Sequence, residues 1–513
     1  MAVTDDRKYT KAFVFNLLEG VKGKTLGEVD KSHQFDRTQN SKKITGIAGD
    51  VIEQSVFGYE RDSKQECDIE IDGVLTELKT TGVRIPKSDL KYVKGLSGAA
   101  YNVYLGAKEG ISITGVTFEP DIQRDFMTSH FWEKSEHLLI VFYEYKSYNV
   151  VPASEYAKFP IVDYCYNRFS DEERDKLQND WEIVRNYLQA VYAKYPTQEE
   201  RNENLQGFTH LLRPDLLLIE LVSGFKKKST GTYQKPRYRL KQTFVDYIVR
   251  GHFDKSRAAT EVKLCESFSS FSQLDARCHS ITAKYKGKTF FQLKRLFGID
   301  TEMSTKDFGA KCVLKMFDAN CNRLNQITDF TKVGIIAKTI TITPTGGRTE
   351  DMKLKHIDFE EWADRDIEFE ESDLYAYFCE HSFLCPVFCE HDHEDPSKTT
   401  FEGFKRFAFD ESFIENEVKR TWEDSRNLIH RNELIWEYIY DKQGNKRRNK
   451  SGAYMGAPNF PKSSEYVVFF RGGANVSTDA TRTEIVNGIK MLPQFFWLKG
   501  SYIADKLQTL SYL

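Results

Sequence analysis

The segment "CDIEIDGVLTELKTTG", residues 67–82, gathers Asp68, Glu70, Glu77 and Lys79 around one tight turn. Asp72-Gly73 is a two-residue type I′ turn signal between two alternating runs. Pairing outward from it sets Ile71 against Val74, Glu70 against Leu75, Ile69 against Thr76 and Asp68 against Glu77. Opposed residues share a face, with Cβ atoms about 4.5–5.5 Å apart. One face then carries Ile69, Ile71, Val74 and Leu78, and the other carries the three acids and Lys79. Carboxylates held that close repel each other, and three outcomes are open: a raised pKa, a salt bridge to the lysine, or a divalent cation. Mg²⁺ takes carboxylate oxygens and keeps waters elsewhere, and a neighbouring lysine can orient or deprotonate one of those waters. That is an arrangement for metal-assisted phosphodiester hydrolysis. The competing reading is the polar face of an ordinary hairpin with a surface ion pair, which is common and worth little.

Such a hairpin needs a folded scaffold, and the chain can supply one. Its 513 residues exceed what one core usually serves, so at least two domains are expected. Hydrophobic residues make up 40%, too many for a disordered protein. A net charge of -3 means that any nucleic-acid site must come from local charge patterning. No apolar run is long enough for a membrane span. The start, "MAVTDDRKYTKAFVF", does not read as a signal peptide, so a cytoplasmic protein is expected. Nine scattered cysteines fit reduced thiols.

An acid followed by Glu-x-Lys on the next strand resembles the PD-(D/E)xK nuclease core, and neighbouring segments sharpen the likeness to the MutH family. "GIAGDVIEQSVFG" (46–58) resembles that family's helix before the hairpin, whose glutamate turns toward the metal site; here it is Glu53. "TSHFWEKSEHLLIVFYEY" (128–145) resembles a later strand preceded by a second active-site lysine, here Lys134. "RYRLKQTFVDYIV" (237–249) is similar to its terminal segment, matched at Leu240 and Lys241. The resemblance implies an α/β (α+β) restriction-endonuclease-like fold, a mixed central sheet flanked by helices. It implies Mg²⁺ held by Asp68, Glu77 and the Leu78 carbonyl, supported by Glu53, with Lys79 and Lys134 completing the catalytic set. It further implies double-stranded DNA as substrate and Arg213 as a base-reading residue. By its length the chain is similar to the long GATC-cutting type II restriction endonucleases with a second MutH-like half.

Internal repetition supports a tandem arrangement. "KGKTLGEV" (22–29) recurs as "KGKTFFQL" (286–293), and "DWEIVRNYL" (180–188) as "TWEDSRNLI" (421–429). "TELKT" (76–80) aligns with "IIAKT" (335–339), which replaces Glu77 by Ile336 and sets Val313 opposite Glu53. The expected division is a catalytic domain over 1–250, a connector over 251–280 and a catalytically inactive DNA-binding or allosteric domain over 281–513. Arg471 and Lys499 are its expected DNA contacts, taken as counterparts of Arg213 and Lys241.

Two departures from the family pattern bear on the site. The usual six-residue spacing before Glu77 falls on Glu70, whereas the pairing favours Asp68, and Glu70 stays the rival. "RPD" (213–215) also places an acid where the family carries a cation. "FKKKSTGTYQKPRYRLK" (225–241) holds seven basic residues and no acid, and reads as a DNA-facing loop carrying Lys226, Lys227 and Lys228. "SKKITG" (41–46) is a smaller basic segment. The acidic run "DFEEWADRDIEFEESD" (358–373) reads as a solvated face. "FCEHSFLCPVFCEHDHED" (378–395) matches no standard zinc spacing and reads as a buried strand.

The expected activity is Mg²⁺-dependent double-strand cleavage of a short palindrome, GATC by resemblance, leaving 5′-phosphate ends. A transient homodimer on DNA and a cognate methyltransferase are the expected partners. A partner-controlled nickase and a non-catalytic DNA-binding regulator remain the alternatives.

Overall fold

Each half is built around a hydrophobic strand with neighbours on both edges. In the computed structural model, His137–Glu144 runs parallel to Val74–Arg84 on one side and antiparallel to Ile161–Arg168 on the other. Its residues from Leu138 to Tyr143 are all buried, the pattern of a parallel strand covered on both faces. The sheet continues from Val74–Arg84 through Ile69–Ile71 to Lys8–Tyr9 at its edge. The structure describes residues 7–40, 44, 46–60, 66–228, 231–257, 261–348, 350–450, 452, 454–474, 477, 478 and 480–513.

The second half repeats this plan. Ser382–Cys389 is buried along its whole length. It pairs in parallel with Ile335–Ala337 and Ile340–Ile342, and antiparallel with Thr400–Phe407. Cys385 and Cys389 are therefore core side chains of a strand, and all nine cysteines are free thiols. The "KGKT" repeat is also a structural repeat. Thr25 caps Leu26–Val29 and Thr289 caps Phe290–Phe297, each through a reciprocal capping box. Gly23 and Leu26 donate their amides to Ile161 and Phe159, and Gly287 and Phe290 do the same to Phe401 and Thr399.

A smaller antiparallel sheet stands beside each main one. Arg237–Leu240 lies between Ile111–Gly115 and Ile219–Val222, and Gln494–Leu498 lies between Met352–His356 and Val468–Gly472. A lysine follows each central strand. Lys241 and Lys499 begin the helices Gln242–Phe253 and Gly500–Gln508, and their amides donate to Leu218 and Val467. The fold is thus two tandem mixed α/β units of one design.

Three hydrophobic clusters hold the molecule together. One packs Val51, Ile52 and Phe57 against Ile69, Ile71 and Leu78, as the hairpin pattern predicts for that face. One lies within the second half around Trp362, Phe383 and Phe496. The third is continuous between the halves, joining Phe142, Trp181 and Tyr238 to Phe271, Leu274, Phe308 and Phe404. The segment 251–280 is accordingly packed. Phe268, Phe271 and Leu274 enter that shared core, and the helix Phe271–Tyr285 runs across the 280/281 boundary. No described helix is long and apolar enough to cross a membrane.

Candidate active site

Asp72 and Gly73 have φ of 49° and 83°, the left-handed conformation that a type I′ turn demands at both central positions. The strands pair Ile69 with Thr76, Glu70 with Leu75 and Ile71 with Val74, the register expected from the turn. One step further out, the Asp68 carboxylate accepts the Leu78 amide at 2.9 Å, which ties the acid to the opposite strand beside Glu77. Glu70 lies elsewhere. It faces Lys8 across the edge strand, 3.4 Å away and partly exposed. The geometry therefore favours Asp68 over Glu70 as the partner of Glu77.

Glu77 is the centre of the cluster, with its side chain only 2% exposed. The Lys79 ammonium donates to its Oε1 at 2.6 Å. Lys134 reaches both oxygens, at 3.1 and 2.9 Å. Lys134 arrives from the end of the short helix His130–Glu133. That helix is capped by Ser129 and anchored by the buried Phe131 and Trp132. Two ammonium groups thus neutralise one buried carboxylate, the arrangement that makes a buried charge tolerable. Burial, then the nearby Glu77, raises the Asp68 carboxyl above its ordinary value, opposed by Lys79, Lys134 and the Leu78 amide. Burial works against the charge of Lys79, but Glu77 and Asp68 outweigh it and raise its pKa.

Glu53 comes from the preceding helix. Ile47–Val51 widens into a π-helix over Ile52–Phe57, and Gly49 on its first turn faces both the Glu53 carboxylate and the Thr80 hydroxyl. Glu53 therefore lies along the strand that carries Glu77 and Lys79. Among the described residues no three His, Cys, Asp or Glu side chains are drawn together as a ready-made metal cage. The lysines occupy the oxygens of Glu77 instead.

The expected DNA contacts are placed less uniformly. Lys226 and Lys227 form an exposed two-residue ribbon with Tyr233–Gln234, and Lys228 is exposed at its tip. Neutralising all three should weaken binding to every DNA and reduce the salt slope by about one unit per lost phosphate contact. A salt titration with unchanged slope would make the ribbon an ordinary solvated loop. Most of "SKKITG" (41–46) lies outside the described residues.

Lys241 is different from its expected role. It is 3% exposed, and its ammonium donates to the Leu216 carbonyl at 2.6 Å, so it stands inside the fold rather than on a surface. Arg213 is held between the halves. Its guanidinium meets Glu411 at 2.9 Å and Cys379 at 3.0 Å, and His210 approaches the same carboxylate. The acidic run is likewise engaged rather than wholly solvated. Lys87 binds Asp358 and Glu360 at 2.6 and 2.7 Å, and Arg84 faces Asp373 at 3.9 Å. A cleft between the halves is lined by Thr80, Arg84 and Arg239 on one side and Glu361, Asp373 and Glu380 on the other.

The second half lacks the same cluster. Ile336 pairs with Phe383 where Glu77 pairs with Leu138, and by the same count Lys338 takes the place of Lys79. Gly309 faces Thr339 as Gly49 faces Thr80, which puts Val313 in the position of Glu53. Ser372 and Ser129 make matching caps, each hydroxyl donating to a carbonyl three residues back, so Tyr377 falls where Lys134 stands. Asp329 accepts the Leu264 amide at 2.7 Å, a structural bond. The correspondence of Lys499 with Lys241 is seen directly, but Arg471 is not the counterpart of Arg213. Val468 faces Leu498 as Ile219 faces Leu240, so Arg471 matches Val222. Arg471 pairs with Asp351 at 2.7 Å, and Lys499 is half-buried at its helix start.

Sequence comparison accords with this geometry. The family described as DNA mismatch repair enzyme MutH matches residues 57–180, a span holding Asp68, Glu77, Lys79 and Lys134. The Type II restriction enzyme Sau3AI of Staphylococcus aureus is 22% identical over 541 residues, covering 98% of this chain and 99% of that protein. The carboxylate–lysine cluster thus lies inside the segment that matches the MutH family, and the chain is similar over nearly its whole length to a type II restriction enzyme.

Proposed function

We propose that the chain is a type II restriction endonuclease that hydrolyses double-stranded DNA at a short palindrome, GATC, leaving 5′-phosphate ends. The observation that carries this reading is Glu77, buried beside Asp68 and gripped by Lys79 and Lys134. The donors fit a hard divalent cation such as Mg²⁺. They are carboxylate oxygens, with a buried hydroxyl at Tyr59 that has no hydrogen-bond partner among the described residues. Asp68, Glu77 and the Leu78 carbonyl would hold the ion, and Glu53 would support it. When bound, it would polarise the scissile phosphate and acidify a water.

The rest belongs to the chain's own groups. Asp68 and Glu77 supply negative charge at fixed positions on two paired strands. Once the oxygens of Glu77 are shared with another ligand, the Lys79 ammonium is released to hold and orient the attacking water. Lys134, coming from a different element, can then meet a phosphate oxygen as charge grows there. The second half, with Ile336, Val313 and Tyr377 in the corresponding positions, is proposed to bind DNA without cutting it. One chain then offers one centre for a site with two strands, so two chains would meet on the palindrome. A methyltransferase of the same specificity would protect the host.

Arg213 must leave Glu411 before it can reach a base. Arg213→Ala should reduce discrimination between cognate and mismatched sites by about 1–3 kcal/mol, the worth of a good bidentate base contact. Glu411→Gln should preserve that discrimination. Equal weakening on all sequences after Arg213→Ala would make the residue a phosphate contact.

Supercoiled plasmid with Mg²⁺ tests the activity itself. Linear product is expected. Nicked circles alone would favour the strand-specific reading, and a mobility shift without cleavage would favour a regulator.

A further inference from the structure

Tyr59 follows directly on the π-helix that carries Glu53. A π-turn is rare and shifts the direction of the side chains after it, and such turns recur at functional sites. Here it closes at Gly58, with φ of 79°, and the amides of Gly58 and Tyr59 both donate to the Glu53 carbonyl, at 2.9 and 3.3 Å. Tyr59 is therefore fixed to the turn that aims Glu53. Its ring has the Arg7 guanidinium 4.4 Å from its centroid and the tilted ring of Phe57 at 6.4 Å. The residue is 8% exposed, yet among the described residues its hydroxyl finds no hydrogen-bond partner. Buried hydroxyls are nearly always paired, so an orphan beside charged groups calls for a ligand. The carboxylates whose charge reaches it include Asp68, Glu53 and Glu77. No sequence motif pointed to it.

We propose that Tyr59 is a positioning residue of this centre: its hydroxyl hydrogen-bonds water held among Asp68, Glu53 and Glu77 when a divalent cation is present. The proposal rests on the metal-dependent reading given above. A phenol is suited to the task because it can donate to a carboxylate and accept from a water at once. It would fix the orientation of that water and raise the affinity of the loaded state, as outer groups around metal ligands commonly do.

The test uses the full chain and its Tyr59→Phe variant, without DNA, titrated with Mn²⁺ by calorimetry. The variant keeps the ring packing and loses only the orphan hydroxyl, so its Tm should equal or exceed that of the wild type. Mn²⁺ affinity should fall by about tenfold, and the Mg²⁺ concentration for half-maximal cleavage should rise by a similar factor. Unchanged affinity and unchanged Mg²⁺ dependence would overturn the proposal. A wild type that binds no Mn²⁺ would overturn the metal reading with it. Should Tyr59→Phe fold poorly, 3-fluorotyrosine placed at position 59 gives a second readout. Its fluorine resonance should move on addition of Mg²⁺, and an unmoved resonance would count against the role.

Discussion

Glu77→Gln should all but abolish DNA cleavage, with a loss of about two to three orders of magnitude, while cognate binding survives. The reasoning is electrostatic. Glu77 is shared by both lysines, and each removal of a preorganised group at such a centre typically costs about 2.7–4 kcal/mol of transition-state stabilisation. The change has a structural consequence as well. Lys134, 8% exposed, would lose its counter-ion, and breaking a buried pair from one side costs about 3–5 kcal/mol. A lower Tm is therefore expected, and binding must be measured below it. Asp68→Asn should be equally inactive but milder in stability, since the amide oxygen can still accept the Leu78 amide. Glu70→Gln, losing only a partly exposed pairing with Lys8, should cut at close to the wild-type rate. An active Asp68→Asn beside a dead Glu70→Gln would reverse the assignment of the first acid.

The second large effect concerns folding. Asp180 is fully buried in the helix Asp171–Lys194, and its carboxylate accepts three consecutive amides, Leu217, Leu218 and Ile219, at 2.8, 2.7 and 3.0 Å. Burial outweighs these bonds and raises its carboxyl to about 6. Asp180→Ala would strand all three donors where the strand Ile219–Val222 begins. At about 1–3 kcal/mol for each unsatisfied buried group, the sum is comparable with the whole stability of a typical domain. The variant should be recovered unfolded or insoluble, with no cooperative melt by circular dichroism. A soluble protein with near-native Tm would mean that water reaches those amides. The second half makes the same connection more weakly. Thr421, one residue before Trp422 as Asp180 is before Trp181, donates to the Val468 carbonyl.

The hairpin was readable to the residue because a two-residue turn leaves no freedom in register, and register decides which side chains face each other. The tandem plan was readable because capping threonines and strand-initiating segments are local signals that survive duplication. The long-range contacts were not. Arg213 and Glu411 are far apart in sequence, and nothing near either names the other. Lys241 is expected at a DNA-facing surface only through the family resemblance of "RYRLKQTFVDYIV", which says nothing about burial. Here a neighbouring carbonyl takes its ammonium in the interior. The order of the repeated segments sets Arg471 against Arg213, whereas strand pairing puts it level with Val222. Tyr59 carried no signal because the π-turn that places it depends on backbone hydrogen bonding, which residue types hardly encode.

If the Asp68–Glu77–Lys79–Lys134 cluster cuts DNA at one short sequence, the ends that it leaves carry that sequence. Sequencing the ends of plasmid digested by the wild-type chain with Mg²⁺, beside a Glu77→Gln control, tests it most directly. Expected are 5′-phosphate ends falling at GATC in every fragment, and uncut plasmid in the control. Ends scattered over unrelated sequences, or equal digestion by Glu77→Gln, would contradict it.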